Sequence, residues 1–334
     1  MANIGVLGAG TWGIALARML CLNNHKVTVW SAVQKELDEL TKTHKHPNLS
    51  GVEIPKEIEY TNSLSQACKG KDLIMFSVAS PYVRATAANA AEFITSEQVI
   101  VDVAKGIEAD TLMTMSAIIE DELTKAQPKD KFKIVALSGP THAEEVARDL
   151  PTAIVSSSKD ENAAKYVQEI FMNTCMRVYT NSDMLGVELC GALKNIMALA
   201  AGVSSGLGFG DNAKAALITR GMAEITRLGL AMGCHEQTFL GLAGIGDLIV
   251  TATSMHSRNN RCGYRIGQGI PVSQAVHEVG MVVEGINAIP AAIELAEKYK
   301  VEMPIVEMAD AVVGGKVTPK EAVHQLMTRK KKAE

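Results

Sequence analysis

The first half of the chain alternates short apolar runs with longer segments whose apolar residues recur at helical spacing. Runs such as residues 73–76 and 99–101 are continuously apolar, which is typical of strands buried on both faces of a parallel sheet. The predicted strands are Asn3–Leu7, Lys26–Trp30, Leu73–Val78, Val99–Val103, Lys133–Leu137, Ala153–Ser156 and Arg177–Tyr179. The predicted helices among them are residues 11–23, 33–43, 81–93, 110–125, 141–148 and 161–171. Right-handed crossovers between these elements give a doubly wound α/β sheet.

After about Asn181 the strand signals fade and helical periodicity dominates. The pattern predicts helices over residues 185–202, 212–232, 284–299, 303–313 and 318–328. Three glycine-rich stretches indicate loops or close helix contacts, at residues 202–210, 241–246 and 263–269. We therefore expect a Rossmann-type α/β domain over residues 1–182 and an all-helical C-terminal domain over residues 183–334. The second domain is expected to bind substrate and to carry catalysis, with the active site between the two.

The most informative local motif is Gly8-Ala9-Gly10-Thr11-Trp12-Gly13, placed between the first predicted strand and the first predicted helix. In that position a G-x-G-x-x-G sequence predicts a phosphate-binding turn for a dinucleotide. Gly8 allows the tight turn, Gly10 lets the backbone approach a pyrophosphate, and Gly13 lets the helix pack closely on the strand. The helix N-terminus then offers free N–H groups to the phosphates. An ordinary glycine turn is the alternative, which the flanking strand and helix disfavour.

Composition narrows the possible functions. The 334 residues are 47% hydrophobic and 21% charged, which is typical of a globular enzyme with a sizeable core. A net charge of −4 argues against general affinity for nucleic acids, and the basic residues 329–332 are interpreted as a solvated tail. No uncharged apolar stretch is long enough to suggest a membrane span. The first apolar run is interrupted by glycines, so we expect no signal peptide.

The six cysteines and eight histidines do not form recognisable metal or disulfide patterns. No C-x-x-C or H-E-x-x-H spacing is present, and residues 44–46 (His-Lys-His) resemble a surface loop. We therefore expect reduced thiols in a cytoplasmic protein, and no metal.

Lys194 is the most informative residue of the second half, because it is a charge inside an apolar helical pattern. Its neighbours at helical spacing are Gly191 and Ala198, so this helix face is low enough for a ligand or another backbone to approach. A buried lysine needs a partner or a substrate. The alternative, a lysine that extends from a core helix into solvent, stays equally open from the pattern alone.

Four further positions carry suitable chemistry, and each also has an ordinary explanation. Lys105 ends a predicted strand beside the cofactor loop, but could be a solvent-facing loop lysine. Asp247 follows a glycine and could be a helix cap. The segment 257–261 (Ser-Arg-Asn-Asn-Arg) offers phosphate ligands or a polar surface loop. Glu284 at a helix start is readily explained by the helix dipole.

Taken together, these segments closely resemble bacterial NAD(P)-dependent glycerol-3-phosphate dehydrogenase. The matching stretches run in the family's order: GAGTWGIALA at 8–17, AKGIE at 104–108, LSGPTHAEEV at 137–146, ALKNIMALAAG at 192–202, ALITRGMAEITRLG at 216–229, GLAGIGDLIVT at 241–251, SRN at 257–259 and VVEG at 282–285. The resemblance implies interconversion of sn-glycerol 3-phosphate and dihydroxyacetone phosphate with NAD or NADP. It also implies a cytoplasmic homodimer that supplies glycerol 3-phosphate for glycerophospholipid synthesis.

The resemblance also implies roles for individual residues. Lys194 would be the general acid/base, with Lys105 and Asp247 as its catalytic neighbours. The implied substrate-binding residues are Lys105, Gly139, Thr141, Lys194, Asn195, Asp247, Thr251, Ser257, Arg258 and Asn259. The implied cofactor contacts are Gly8, Gly10, Thr11, Trp12, Gly13, Lys105, Ala143, Arg258, Val282 and Glu284. Arg258 with Asn259 would hold the substrate phosphate, and Thr141 replaces the family's usual serine while keeping the hydroxyl.

Two positions depart from the family pattern. After the second strand the family commonly has an Arg or His, where the 2′-phosphate of NADP would sit, but residues 31–34 here are Ser-Ala-Val-Gln. That segment also lacks an acid at the strand end for the ribose of NAD, and Lys35 is the one basic residue nearby. Asn260 stands where a second Arg is common. The choice between NAD and NADP therefore stays open from the sequence.

Two other functions fit parts of the pattern. A 3-hydroxyacid or opine-type dehydrogenase could share the fold and use Arg258 and Asn259 for a carboxylate. A dinucleotide-sensing regulator would not need Lys194.

Overall fold

The computed structural model describes residues 1–331 and 333, and the chain divides into two compact units. Unit 1 comprises residues 1–105 and 113–188, and unit 2 comprises residues 106–112 and the chain from residue 189 onward. The chain thus changes unit three times, whereas the sequence pattern suggested one boundary after residue 182. The limits of the functional domains stay a prediction.

Unit 1 contains one eight-stranded sheet in the order β3-β2-β1-β4-β5-β6-β7-β8. All neighbouring strands are parallel except β6 and β7, which are antiparallel. The strands are β1 Asn3–Leu7, β2 Lys26–Trp30, β3 Glu59–Thr61, β4 Leu73–Phe76, β5 Val99–Asp102, β6 Lys133–Ser138, β7 Thr152–Ser157 and β8 Met176–Asn181. The predicted Rossmann-type doubly wound sheet is confirmed, and its chain order reverses beside β1, where such folds bind ligands.

Helices cover both faces of this sheet. One apolar layer joins Val6 of β1 to Ile14 and Val167, and the other joins Ile74 of β4 to Ala87 and Ile119. Burial on both faces explains why these strands are continuously apolar in sequence. The helices of the first 171 residues are α1 Thr11–Leu22, α2 Gln34–Thr43, α3 Leu64–Cys68, α4 Val83–Ala90, α5 Met115–Ala126, α6 Ala143–Val146 and α7 Glu161–Phe171.

Several unit 1 elements differ from the sequence prediction. β3 and α3 were not predicted, because both are short and only partly apolar. The helix predicted over 110–125 begins at Met115, since Leu112 has a positive φ of 58° and Thr114 is extended. The helix predicted over 81–93 consists of α4 between two short 3-10 turns, Ser80–Tyr82 and Ala91–Phe93.

The described part of unit 2 contains helices and no strands. The prediction of an all-helical second half is confirmed, although α10 to α13 were not predicted individually. A π-type turn at Leu242–Gly246 precedes α11. The helices of the second half are α8 Met184–Gly206, α9 Asp211–Ala231, α10 Glu236–Leu240, α11 Asp247–Thr253, α12 Arg258–Gly267, α13 Val272–Val279, α14 Glu284–Tyr299, α15 Pro304–Val313 and α16 Pro319–Met327.

α8 and α12 cross with their backbones in contact. A Cβ atom on Gly263 would lie 2.0 Å from the Leu199 carbonyl oxygen, and one on Gly202 would lie 2.1 Å from the Asn260 carbonyl oxygen. No larger residue fits either position without moving a helix. The glycine-rich stretch beginning at residue 263 is therefore a close helix contact rather than a loop.

α8 is long and apolar enough to cross a membrane by composition alone, but 89% of its most apolar window is buried within the protein. That burial is typical of the core helix of a folded unit, which is how α8 packs here.

Glu224 of α9 is a buried carboxylate that joins two helices. Both of its carboxylate oxygens accept the Ile305 N–H of α15 at 3.0 Å. Burial raises the pKa of Glu224 to about 7. Because the unfolded value is 4.5, the folded state binds this proton more tightly than the unfolded state does.

We expect Glu224→Gln to change how stability depends on pH. The stabilising contribution of the Glu224 proton is complete below the unfolded pKa and is lost as pH rises through the folded pKa. Between pH 5 and pH 8 the free energy of unfolding of the wild type should fall by about 2 kcal/mol relative to the variant. Urea unfolding at several pH values measures this difference. The exposed Glu236→Gln is the control, and a parallel pH dependence of Glu224→Gln and wild type would contradict the assignment.

Candidate active site

The turn after β1 has the geometry of a phosphate-binding loop. Gly8 has a φ of +125°, and a Cβ atom there would lie 2.7 Å from the Val78 backbone nitrogen. A Cβ atom on Gly13 would lie 2.2 Å from the Gly8 carbonyl oxygen, so α1 packs directly on the turn. Gly10 differs, because a Cβ atom there would meet no atom within 4 Å. The loop is closed underneath and open at Gly10, as a bound pyrophosphate requires.

The N-terminus of α1 is suited to an anion. Gly10 is its N-cap and provides no side-chain hydrogen bond, and the first turn contains no acidic residue. The first N–H groups of the helix therefore face a site without a competing carboxylate from that turn. Thr11 accepts a hydrogen bond at 3.0 Å from Asn48 Nδ2, and Trp12 packs against the apolar layer. The N-terminus of α1 is therefore suited to the phosphates of a dinucleotide.

Three predicted substrate residues meet at the ends of β5 and β6. The Lys105 ammonium donates to the Gly139 carbonyl oxygen at 3.2 Å, and the Thr141 hydroxyl donates to the same oxygen at 3.1 Å. β5 and β6 are adjacent parallel strands, so their C-terminal ends lie at one edge of the sheet. Ala143 begins α6 and packs partly buried against the apolar layer. The structure thus groups Lys105, Gly139 and Thr141 within unit 1.

Unit 2 contains the second group, which is formed around Lys194. Its ammonium lies 2.5 Å from Asp247 Oδ1 and donates to the Thr251 hydroxyl at 2.6 Å. The side chains of Lys194 and Asp247 are only 7% and 1% exposed. The Thr251 hydroxyl donates in turn to the Asp247 carbonyl oxygen at 2.6 Å. Lys194 therefore does not extend into solvent. Asp247 is not only the first residue of α11, because its buried carboxylate also pairs with the Lys194 ammonium.

Two predicted asparagines connect three helices of unit 2. Asn259 Nδ2 of α12 donates to Asn195 Oδ1 of α8 at 2.9 Å, and the Gly285 N–H of α14 donates to Asn259 Oδ1 at 2.8 Å. A Cβ atom on Gly285 would lie 2.5 Å from the Asn195 carbonyl oxygen. This contact fixes the start of α14 at Glu284, two residues after Val282, against the helix that carries Lys194.

The 257–261 segment is a capped helix start, not a loop. The Ser257 hydroxyl accepts the Asn260 N–H at 3.2 Å, and Arg258 begins α12 as a half-buried residue. Asn260 Nδ2 donates to the Ala252 carbonyl oxygen at 2.7 Å. Asn260, which departs from the family pattern, is therefore buried and structural. Arg261 donates to the Met255 carbonyl oxygen at 3.3 Å.

A buried pair of carboxyl groups, Asp102 and Glu188, was missed by sequence reasoning; Asp102 lies three residues before Lys105. Glu188 accepts hydrogen bonds from the Thr114 hydroxyl at 3.0 Å and from the N–H and hydroxyl of Ser116 at 2.9 and 2.6 Å. Asp102 Oδ1 accepts the Ala104 N–H at 3.0 Å. Burial raises the pKa of both carboxyl groups, and the Glu188 charge raises that of Asp102 further. The available signal was an acid at the end of one apolar strand, Asp102, and a second acid inside an apolar helix, Glu188.

Within residues 1–331 and 333, no group of three His, Cys, Asp or Glu side chains is arranged to hold a metal ion. All six cysteines are free thiols.

Comparison with known proteins identifies the family of this chain. A model of the NAD-dependent glycerol-3-phosphate dehydrogenase N-terminus matches residues 3–164, and a model of the corresponding C-terminus matches residues 183–324. The chain belongs to the NAD-dependent glycerol-3-phosphate dehydrogenase family. The resemblance found in the sequence motifs is confirmed. As a member of this family the protein is an oxidoreductase that uses NAD or NADP.

Relatives of this glycerol-3-phosphate dehydrogenase family member match it over its full length. It is 62% identical to glycerol-3-phosphate dehydrogenase (NAD(P)+) 2 of Lactobacillus delbrueckii subsp. bulgaricus, covering 100% of this chain and 99% of the relative. It is 48% identical to glycerol-3-phosphate dehydrogenase (NAD(P)+) of Agathobacter rectalis, covering 100% and 98%.

Solved structures agree with the fold. The crystal structure of glycerol-3-phosphate dehydrogenase from Coxiella burnetii superimposes with a TM-score of 0.92 at 34% identity, covering 98% of this chain and 99% of that one. A ketopantoate reductase from Ralstonia eutropha has a TM-score of 0.64 at 14% identity, covering 96% and 100%. The second likeness shows the shared fold alone.

We expect the Lys194–Asp247 pair to show strong coupling in stability. Asp247→Ala should lower the free energy of unfolding by about 3–5 kcal/mol, because it leaves a buried ammonium without its carboxylate. In a Lys194→Met background the same change should cost at least about 1 kcal/mol less, since no charge is left unpaired. Urea unfolding of the two single variants, the double variant and the wild type measures the coupling. Equal costs of Asp247→Ala in both backgrounds would refute it.

Proposed function

We propose that the protein interconverts sn-glycerol 3-phosphate and dihydroxyacetone phosphate by hydride transfer with NADH or NADPH. The observation that carries this proposal is the buried group of Lys194, Asp247 and Thr251 in a chain of this family. A lysine held in an apolar helix by a carboxylate and a hydroxyl can move a proton in a site that excludes water.

A bound NADH or NADPH would supply the hydride for C2 and would itself be oxidised to NAD⁺ or NADP⁺. In the reductive direction, Lys194 Nζ gives its proton to the ketone oxygen at C2. The carbonyl π bond breaks, and the C–H and O–H bonds of glycerol 3-phosphate form. In the oxidative direction, neutral Lys194 accepts the hydroxyl proton. Asp247 and Thr251 orient Nζ and stabilise its ammonium form.

The substrate phosphate is assigned to Arg258, whose guanidinium can contact two phosphate oxygens at once. Ser257 and Asn259 flank it at the start of α12, and the hydrogen bond from Asn259 to Asn195 fixes that helix start relative to α8. In unit 1, Lys105, Gly139 and Thr141 provide the remaining substrate contacts.

The dinucleotide pyrophosphate is assigned to the turn from Gly8 to Gly13 and to the N-terminus of α1. The remaining cofactor contacts in this proposal are Lys105, Ala143, Arg258, Val282 and Glu284.

We further propose that the protein is a cytoplasmic homodimer whose product serves glycerophospholipid synthesis, as the family resemblance implies. Sedimentation velocity measures its oligomeric state.

We expect Lys194→Arg to lower kcat for dihydroxyacetone phosphate by about 10²–10⁴-fold, because arginine keeps the positive charge but does not give up its proton. Lys194→Met should lower kcat by a similar factor. NADH affinity, measured by fluorescence, should change little in either variant. Exposed Lys320→Met is the control. Unchanged NADH oxidation in both Lys194 variants would exclude the catalytic role and favour a nucleotide sensor.

We expect Arg258→Ala to discriminate between phosphorylated and unphosphorylated substrates. Its kcat/KM for dihydroxyacetone phosphate should fall by roughly 30-fold or more, since a desolvated ion pair contributes about 2–5 kcal/mol. Activity on dihydroxyacetone should change much less. Arg261→Ala, which removes a guanidinium three residues further along α12, is the matched control.

Equal losses on both substrates would reject the phosphate assignment. The same assay with 2- and 3-oxo acids tests the alternative of a hydroxyacid dehydrogenase. A higher kcat/KM for an oxo acid than for dihydroxyacetone phosphate would favour that alternative.

A further inference from the structure

The segment after β2 places a carboxylate where sequence reasoning found none. Ser31 follows β2 directly and is only 5% exposed. Its hydroxyl donates to Glu36 Oε2 at 2.8 Å and accepts the Val33 N–H at 3.1 Å. Glu36 lies in the first turn of α2, five residues after Ser31, so it does not fit the usual spacing of an acid at the strand end. The hydrogen bond nevertheless holds its carboxylate at that strand end.

The end of β2 lies beside the phosphate-binding turn. The Gly8 N–H donates to the Trp30 carbonyl oxygen at 2.9 Å, which joins the last residue of β2 to the first glycine of the motif. Ser31 therefore follows directly from the strand that borders the dinucleotide loop, and its hydrogen bond holds the Glu36 carboxylate at the same strand end.

His46 is linked to the same turn through Asn48. Its ring accepts the Asn48 N–H at 3.2 Å, and Asn48 Nδ2 donates to the Thr11 hydroxyl at the start of α1 at 3.0 Å. The charges of Glu36 and Glu39 both act on this ring. The sequence suggested a surface loop here, but His46 is 9% exposed and buried. Because burial lowers the pKa of His46, the ring is neutral at neutral pH and offers no positive charge.

The two dinucleotides differ by one group in this region. NAD carries a free 2′-hydroxyl on the adenosine ribose, which a carboxylate can accept as a hydrogen bond. NADP carries a 2′-phosphate with a charge of about −1.5 to −2, which a nearby carboxylate repels. A carboxylate fixed beside the second strand therefore favours NAD.

We infer that Glu36, held by Ser31, binds the adenosine ribose hydroxyls and makes the protein select NAD over NADP. This inference rests on the proposed binding of a dinucleotide at the turn from Gly8 to Gly13. It assigns the cofactor preference that the sequence left open.

The test is the affinity for NADH and NADPH, measured by nucleotide fluorescence without substrate. The wild type should bind NADH at least about 10-fold more tightly than NADPH. In Glu36→Gln the amide can still accept from Ser31, but the charge is gone, so the preference should fall to within about 3-fold, mainly through tighter NADPH binding. Thermal unfolding should be unchanged, because Glu36 is exposed.

Two control variants separate the effect of Glu36 from general charge. Glu39 is an exposed residue of the same helix, and its charge also acts on His46. Glu39→Gln should therefore leave the preference for NADH over NADPH unchanged. Lys35→Gln should change the NADPH affinity by less than about 3-fold. A selective 10-fold loss of NADPH affinity in Lys35→Gln would instead assign the 2′-phosphate to Lys35 and overturn the inference.

The remaining outcomes are also decisive. Equal or tighter binding of NADPH by the wild type, or an unchanged preference in Glu36→Gln, refutes the role of Glu36 and leaves the proposed function intact. Failure to bind either nucleotide refutes both.

Discussion

The helical unit is organised by the need to bury one ammonium group. α8 is almost entirely apolar and lies in the core of its unit, yet Lys194 occupies its middle. A charge there is tolerated only with a close counter-charge and further hydrogen-bond partners. Asp247 and Thr251 meet that need from one turn of α11. The π-type turn at Leu242–Gly246 immediately precedes Asp247. The backbone is therefore irregular just before the residue whose buried carboxylate pairs with Lys194.

The parts of the fold that sequence predicted best are those determined by local pattern. β4 is continuously apolar, and β5 is apolar up to its last residue, because both strands are buried on both faces. The glycines of the turn after β1 are required by close backbone contacts at Gly8 and Gly13. β3 has three partly exposed residues and gave no such signal. α12 was missed because Arg258 to Arg261 are polar, although Asn259 and Asn260 are buried through hydrogen bonds rather than apolar contacts.

The candidate site residues were less predictable than the fold, because their contacts join positions that are far apart in the sequence. The resemblance to a family suggested Lys194 and Asp247, but the pattern alone could not show that they pair, because they are separated by 53 positions. Asp102 and Glu188 were missed for the same reason, since each looked like a single acid, Asp102 at the end of an apolar strand and Glu188 within an apolar helix. Glu36, which we infer to bind the ribose, was missed because an acid is expected at the strand end itself, whereas here that position is Ser31 and the acid lies five residues later, joined to it by a hydrogen bond.

The glycine contact between α8 and α12 has a consequence for the precision of the chemistry. α8 carries the proposed proton donor, Lys194, and α12 begins with the proposed phosphate ligand, Arg258. At Gly202 and Gly263 these helices touch through main-chain atoms, so no side-chain rotamer can change their separation there. In the proposed site, the distance between the groups that bind the reacting carbon and the phosphate of a three-carbon substrate therefore depends on main-chain contacts between α8 and α12. Those contacts would keep the same length when the surrounding side chains differ between related proteins.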